Sequence, residues 1–347
     1  MTPLRFILTE KFPTMISPEF VHSSSALVEF LSDNNVATFS DGKWQSQSQG
    51  SDQAVVATLT VFSQALTFSQ LNAVVVALSE YVEFSEFSLH KFNQKWGDVV
   101  VVAGLTRVNR ESDLNDVLGA LAKQYCLEVA IHSEAPTLAE PGLLIMDMDS
   151  TVIQIECIDE IAKLAGVGEQ VAEVTAQAMQ GALPFSESLL TRVACLAGVE
   201  VSKLAQIRDA IPLMPGVAIL VDELKRHNWK LGIASGGFTY FADHVQSRLS
   251  LDVAVSNQLD IEDGVLTGKV NGRIIDAHVK AETVKQLATQ WSIPMSQTMA
   301  MGDGANDLVM MDVAALGVAF HAKPIVSAKA DVAVRNGGLY RALYFLL

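Results

Sequence analysis

Basic side chains, cysteine and long apolar runs are all scarce in this chain, and each scarcity removes a class of function. Lysine and arginine total 24 against 39 aspartates and glutamates, a formal net charge of −15 over 347 residues. Nucleic acid is bound through basic patches, so a chain this acidic is a poor nucleic-acid binder. The three cysteines, Cys126, Cys157 and Cys195, lie far apart and form no C-x-x-C pair. That argues against a disulfide framework or a zinc site, and buried free thiols in a reducing cytoplasm are the simplest account. No uncharged apolar run reaches the ~18 residues of a membrane span. The apolar stretch within Met1–Leu8 runs on into Glu10, Lys11 and Pro13, too short for a signal peptide. A cytoplasmic protein with no membrane partner is expected.

What is present is apolar substance. Half the residues are hydrophobic and 18% are charged, which suits packed globular domains. The length predicts two or three of them. Residues 1–50 have no assignable pattern beyond Ser23-Ser24-Ser25, which suits the cap of a helix through Ala26–Leu31. Gln45–Gln53 is polar and reads as a linker.

Residues 51–135 are better patterned. Ala54–Phe62 reads as a strand, Ser69–Tyr81 as a helix, Val82–His90 and Asp98–Leu105 as strands, Asp113–Tyr125 as a helix and Cys126–Ile131 as a strand. The order βαββαβ predicts a ferredoxin-like sandwich. Pro136 and Pro141 mark a linker to the next domain.

Across residues 142–347, short apolar runs alternate with helical segments. The runs are Leu143–Met146, Leu231–Ala234, Thr298–Met301, Gly317–Phe320 and Asp331–Val334. This pattern predicts a doubly wound α/β domain with a parallel sheet. Ligands of such sheets bind beyond the carboxyl ends of the strands. Three runs end in polar or glycine-rich clusters, Asp147–Thr151, Ser235–Gly237 and Gly302–Asp307, which should converge on one crevice. A helical insert at about 155–213 follows the first cluster and suits a lid.

Asp147-Met148-Asp149-Ser150-Thr151 carries two carboxylates two residues apart, on one side of the chain if the backbone is extended. Alone it also fits a surface turn. At a buried strand end, one acid can attack an electrophile while the other moves a proton. An aspartate attacking phosphorus needs a cation to screen the anions, and Mg2+ suits an all-oxygen site. Asp303, between Gly302 and Gly304, offers a carboxylate for it. Ser235-Gly236-Gly237 offers a hydroxyl and backbone N–H groups to phosphate oxygens. Lys280 can screen the remaining charge.

Asp147–Thr151, Ser235–Gly237, Lys280 and Gly302–Asp307 resemble the four motifs of the haloacid dehalogenase-like superfamily, and within it the phosphoserine-hydrolysing branch. The resemblance spans about Leu143 to Ala333 and implies a Rossmann-like core with a helical cap. It implies Asp147 as the nucleophile that becomes an aspartyl-phosphate, and Asp149 as general acid, then base. It implies Mg2+ held by Asp147, the backbone carbonyl of Asp149, and Asp303. Ser235, Gly236, Lys280 and Asn306 would bind the phosphoryl group, and Asp307 would order the surroundings of metal and lysine. In the cap, Glu156 would meet the ammonium of O-phosphoserine and Arg192 its carboxylate, with Met179 and Phe185 closing over it. The implied activity is release of serine and phosphate, the last step of serine biosynthesis. The acid at Asp149 counts against a dehalogenase or a P-type ATPase.

The βαββαβ unit resembles an ACT domain, the amino-acid-sensing module, and implies a homodimer through it as one role. Its first strand-to-helix turn, Ser63–Phe68, has no glycine, so no ligand residues are assigned there. Two other readings stand beside the leading one. One is a phosphatase or phosphotransferase for another small phosphomonoester, such as phosphohomoserine. The other is an amino-acid-sensing regulator with a vestigial catalytic half.

Overall fold

A computed structural model of the chain describes residues 22–32, 36–40, 43–47, 54–109, 113–133, 135–179 and 184–347. The chain falls into two units, Met1–Ser133 and Glu134–Leu347.

In the first unit, the element order is α1 (Ser24–Phe30), β1 (Val36–Ser40), β2 (Lys43–Gln47), β3 (Ala57–Ser63), α2 (Phe68–Leu78), β4 (Val82–Leu89), β5 (Val99–Val108), α3 (Leu114–Tyr125) and β6 (Glu128–His132). The elements from β3 to β6 follow the expected βαββαβ order. Local chemistry sets the helix starts. Ser23 caps α1 by accepting from the Ala26 N–H, and Thr67 and Gln70 form a reciprocal capping box on α2. The sheet runs β2-β1-β4-β5-β3-β6, antiparallel throughout. Alternate residues Val99, Val101, Ala103 and Leu105 of β5 enter one core with Leu71, Val74, Val75 and Leu78 of α2. Residues 1–50, unassigned by sequence, thus contribute a helix and a hairpin that extends the sheet. The expected linker Gln45–Gln53 starts inside β2, and residues 48–53 lie outside the described residues. Its strand is hard to read because Trp44 is its one large apolar side chain; that ring packs on Phe39, Phe68 and Phe87.

The second unit carries β7 (Leu143–Met146), α4 (Cys157–Ala165), α5 (Gly168–Met179), α6 (Phe185–Ala194), α7 (Val201–Asp209), α8 (Val217–Arg226), β8 (Lys230–Phe238), α9 (Thr239–Leu249), β9 (Val253–Glu262), β10 (Val265–Asn271), α10 (Ala277–Gln290), β11 (Thr298–Gly302), α11 (Leu308–Val313), β12 (Leu316–Phe320), α12 (Pro324–Ser327) and β13 (Val332–Val334). Its sheet runs β10-β9-β8-β7-β11-β12-β13, parallel except for β10 against β9. The strand β7 is central and wholly buried, so it must be continuously apolar. Leu143 and Ile145 face a core with Val284, Leu287 and Ala288 of α10 and Met310 of α11.

Two strands, β9 and β10, were not expected. Their hairpin mixes polar residues with apolar ones and turns at Asp263-Gly264, both at positive φ. The helical insert holds α4 to α7 between β7 and β8. Its two ends pair with each other: Gln154 N–H donates to the Pro212 carbonyl at 3.0 Å and Met214 N–H to the Val152 carbonyl at 2.8 Å. No helix among the described residues is long and apolar enough to cross a membrane.

Candidate active site

The strand β7 delivers Asp147 to its carboxyl end, and the Asp147 N–H still donates to the Met301 carbonyl of β11 at 2.9 Å. The extended backbone expected from Asp147 to Asp149 stops there. The Met148 carbonyl accepts from the N–H groups of Thr151, Val152 and Ile153, and Ser150 is left-handed at φ 56°. A tight turn, not strand alternation, therefore brings the second carboxylate back to the first. Small neighbours are needed beside it: a Cβ on Gly237 would lie 2.8 Å from Met148 Cε and 3.4 Å from Asp149 Oδ2.

Asp147 Oδ1 accepts from the Met148 N–H at 2.8 Å and pairs with Lys280 Nζ at 2.8 Å. Lys280 is 1% exposed, in the first turn of α10, and its ammonium also reaches Asp307 Oδ1 at 2.8 Å. Asp276 caps that helix through the N–H groups of His278 and Val279. Burial alone would push Lys280 down, but Asp147 and Asp307 outweigh it and hold the ammonium charged.

Asp307 is fully engaged. Its Oδ1 also accepts from Asn306 Nδ2 at 3.4 Å, and its Oδ2 from the Gly304 N–H at 3.0 Å. Gly302 leaves the space that its carboxyl fills. Asp303 is looser, with Thr151 Oγ donating to its Oδ1 at 3.4 Å. Burial, then Asp147 and Asp307, push Asp303 up to about 7; burial against the pull of Lys280 pushes Asp307 up to about 6.

One oxygen each from Asp147, Asp303 and Asp307 lies within 4.8 Å of the others. Three carboxyl groups share the Lys280 ammonium, so the cluster is short of positive charge. An all-oxygen cluster of that kind fits a hard divalent cation.

Asp149 sits apart from the lysine. Its Oδ2 accepts from the Cys157 N–H at 3.3 Å, while its enclosed Oδ1 has no hydrogen-bond partner among the described residues. Burial, then Glu156 and Asp147, raise its carboxyl well above the usual range.

Ser235 is buried near the carboxyl end of β8, and its hydroxyl accepts from the Gly237 N–H at 3.0 Å. Gly236 is held from behind: Asn257 Nδ2 donates to its carbonyl at 2.8 Å, and Asn257 Oδ1 accepts from the Ile275 N–H at 2.9 Å. Asn257, 1% exposed on β9, thus fastens the Ser-Gly-Gly loop to the segment leading into α10.

The insert contributes from the other side. Phe185 lies over Gly236, with Cζ 2.7 Å from where a Cβ would stand. Glu156 begins α4 and accepts from Ser150 Oγ at 2.7 Å. Although Glu156 is exposed as a residue, burial of its carboxyl end raises it. Arg192 Nε donates to the Ser188 carbonyl at 3.4 Å; burial lowers Arg192, and Asp159, Glu156 and Asp149 oppose that. Met179 ends α5, with its side chain outside the described residues.

The structure therefore brings Asp147, Asp149, Asp303, Asn306 and Asp307, which follow strand ends, together with Lys280 from the first turn of α10, with Ser235 and Gly236 beside Asp149 and Phe185. Glu156 and Arg192 reach the group electrostatically from the insert. Sequence reasoning passed over Thr151, Asp159 and Asn257. Asn257 lies in the unexpected hairpin, and nothing local marks a buried asparagine; the Asp263-Gly264 turn was the available signal for its strand.

Comparison with known proteins agrees with this geometry. A family model for haloacid dehalogenase-like hydrolases matches residues 142–314. The phosphoserine phosphatase of Vibrio cholerae serotype O1 is 52% identical over 229 residues, 66% of this chain and 70% of that protein. A crystal structure of a probable phosphoserine phosphatase from Vibrio cholerae, in unliganded form, superposes with a TM-score of 0.68 at 44% identity, covering 83% of this chain and 86% of the other. A phosphoserine phosphatase solved as a phospho-aspartyl intermediate analogue gives a TM-score of 0.57 at 36% identity, covering 60% of this chain and all of that one (100%). This chain therefore belongs to the phosphoserine phosphatases of the haloacid dehalogenase-like hydrolases.

Proposed function

We propose that the chain hydrolyses O-phospho-L-serine to L-serine and phosphate in the cytoplasm, through an aspartyl-phosphate on Asp147 and with Mg2+, as the serine-releasing step of serine biosynthesis. The observation that carries this reading is the split between the two acids of one turn. Asp147 is paired with Lys280, while Asp149 keeps an enclosed oxygen with no partner among the described residues.

The residues divide the work. Asp147 Oδ1 is fixed by Lys280 and the Met148 N–H, which leaves Oδ2 for attack on phosphorus. As the Oδ2–P bond forms, the bond from phosphorus to the serine oxygen breaks, and Asp149 gives that oxygen its proton. Water then attacks phosphorus and yields a proton to Asp149, and the P–Oδ2 bond breaks. Ser235, the Gly236 N–H, Asn306 and Lys280 surround the phosphoryl oxygens. Bound Mg2+, held by Asp147, the Asp149 carbonyl and Asp303, would offset charge on phosphate and carboxylate. Asp307 keeps Lys280 aimed, and Asn257 keeps the Ser-Gly-Gly loop in place. Glu156 and Arg192 would take the ammonium and carboxylate of the substrate, and Phe185 covers it.

Phosphate release from a panel of small phosphomonoesters, including phosphoserine and phosphohomoserine, with and without Mg2+, tests this reading. Phosphoserine should lead the panel, and Mg2+ removal should abolish release. Asp147→Asn should lower turnover by at least about 10³-fold with the fold intact. Near-normal turnover in that variant would remove the covalent mechanism.

A further inference from the structure

Ser188 carries a hydroxyl with no use inside the protein. The residue is 1% exposed, yet its Oγ has no hydrogen-bond partner among the described residues. A buried hydroxyl is ordinarily paired, so an orphan invites a reason. Serine in a helix commonly bonds back to the carbonyl four residues earlier. Here that carbonyl, of Pro184, takes the Ser188 N–H at 3.0 Å, and the hydroxyl is left over.

Its place on α6 supplies the reason. At about 100° per residue, Phe185, Ser188 and Arg192 fall within about 60° of one another on the helix. Phe185 covers Gly236 of the Ser-Gly-Gly loop. Arg192 folds back along the same face, so that Nε donates to the Ser188 main-chain carbonyl at 3.4 Å. The guanidinium and the orphan hydroxyl are therefore neighbours on the face that also carries the covering ring. Arg192 has an electrostatic surplus of acids about it in Asp159, Glu156 and Asp149, yet no carboxylate lies within ion-pair distance of it among the described residues. Its donors remain for an incoming anion.

We propose that Ser188 is a substrate-binding residue, whose Oγ–H donates to the same substrate carboxylate that Arg192 takes. The inference rests on the carboxylate-clamp reading of Arg192 and deepens it. With its Nε donating to the Ser188 carbonyl, the Arg192 fork keeps its terminal nitrogens for a carboxylate. A second, short donor one helical turn away adds a further hydrogen bond to that carboxylate, and so favours a phosphorylated amino acid over an amine phosphate. The orphan hydroxyl is then a cost carried by the free enzyme and relieved when substrate binds.

The test compares O-phospho-L-serine with O-phosphoethanolamine, which lacks the carboxylate, in wild type, Ser188→Ala and Arg192→Ala. In Ser188→Ala the ratio of kcat/KM for the two substrates should fall about tenfold, through the phosphoserine value. Losing an unpaired buried hydroxyl should also raise the Tm of the free protein by about 2–4 °C. A ratio unchanged in Ser188→Ala but lowered in Arg192→Ala overturns the role of Ser188 and leaves the clamp standing. A ratio unchanged in Arg192→Ala removes the clamp, and the Ser188 proposal with it. A lower Tm in Ser188→Ala shows a structural bond for the hydroxyl and likewise overturns the proposal.

Discussion

Lys280 carries the greatest electrostatic weight of any single side chain at this site. It is buried between two carboxylates, and removing one member of such a group leaves the others uncompensated. Lys280→Met should lower stability by about 3–5 kcal/mol when measured by denaturant unfolding in a chelator. Added Mg2+ should recover more stability in the variant than in wild type, since the cation replaces lost charge. Equal recovery in both would show that the metal and the ammonium do not share the same carboxylates. The residues that strand patterning made legible stand at the ends of apolar strands, where a run such as Leu143–Met146 points to Asp147; Glu156, Met179, Phe185 and Arg192 were named only through the family resemblance. Ser188 and Asn257 were not legible, because a polar side chain inside a helix or strand takes its meaning from what surrounds it in space.

At the scale of elements, strands β7, β11, β12 and β13 were legible because burial on both faces demands unbroken apolar runs. The β9–β10 hairpin was not, because the polar run Ser256-Asn257-Gln258 and then Asp260 break up the apolar residues of β9. The hairpin props the insert. Gly198 N–H donates to the Leu266 carbonyl at 2.8 Å, and Leu266 N–H to the Val199 carbonyl at 2.8 Å. Gly268 lets β10 approach α6: at φ +83°, an added Cβ would stand 3.0 Å from Ala197 Cβ and 3.2 Å from the Ala194 carbonyl. Gly268→Ala should therefore loosen the cap, costing about 1–2 kcal/mol locally. Amide hydrogen exchange should quicken in α6 and stay unchanged in β7 and β11. Uniform exchange across the unit would mean that the hairpin supports the whole sheet instead.

The whole molecule contains two opposite responses to pH. In the first unit, burial pushes His132 down to about 4. The unfolded chain takes up that proton first, near the ordinary histidine value of about 6.5. The unit's stability is therefore complete above about 6.5 and falls as pH drops through 4, by about 3 kcal/mol at most. In the second unit, Asp303 and Asp307 are raised to about 7 and about 6. Their stabilising protons are bound in full below the ordinary aspartate value and are lost as pH rises through those values. Without divalent cation, the second unit should be firmer near pH 5 than near pH 8, and the first unit the reverse. Unit-resolved hydrogen exchange at the two pH values, in chelator, checks both signs. His132→Gln should flatten the acid side alone.

The insert leaves and rejoins the sheet through two short segments that are hydrogen-bonded to each other, Val152–Gln154 against Pro212–Met214. A segment whose ends already touch imposes little closure entropy on its host, whatever its length or content. The groups proposed to break the phosphate bond belong to the host, while Glu156, Ser188 and Arg192, proposed to bind the rest of the substrate, lie within the excursion. On that reading, selection can rewrite what the protein recognises without disturbing how it reacts. The paired ends and the hairpin that props the insert are then the seams along which such a recognition half would be exchanged.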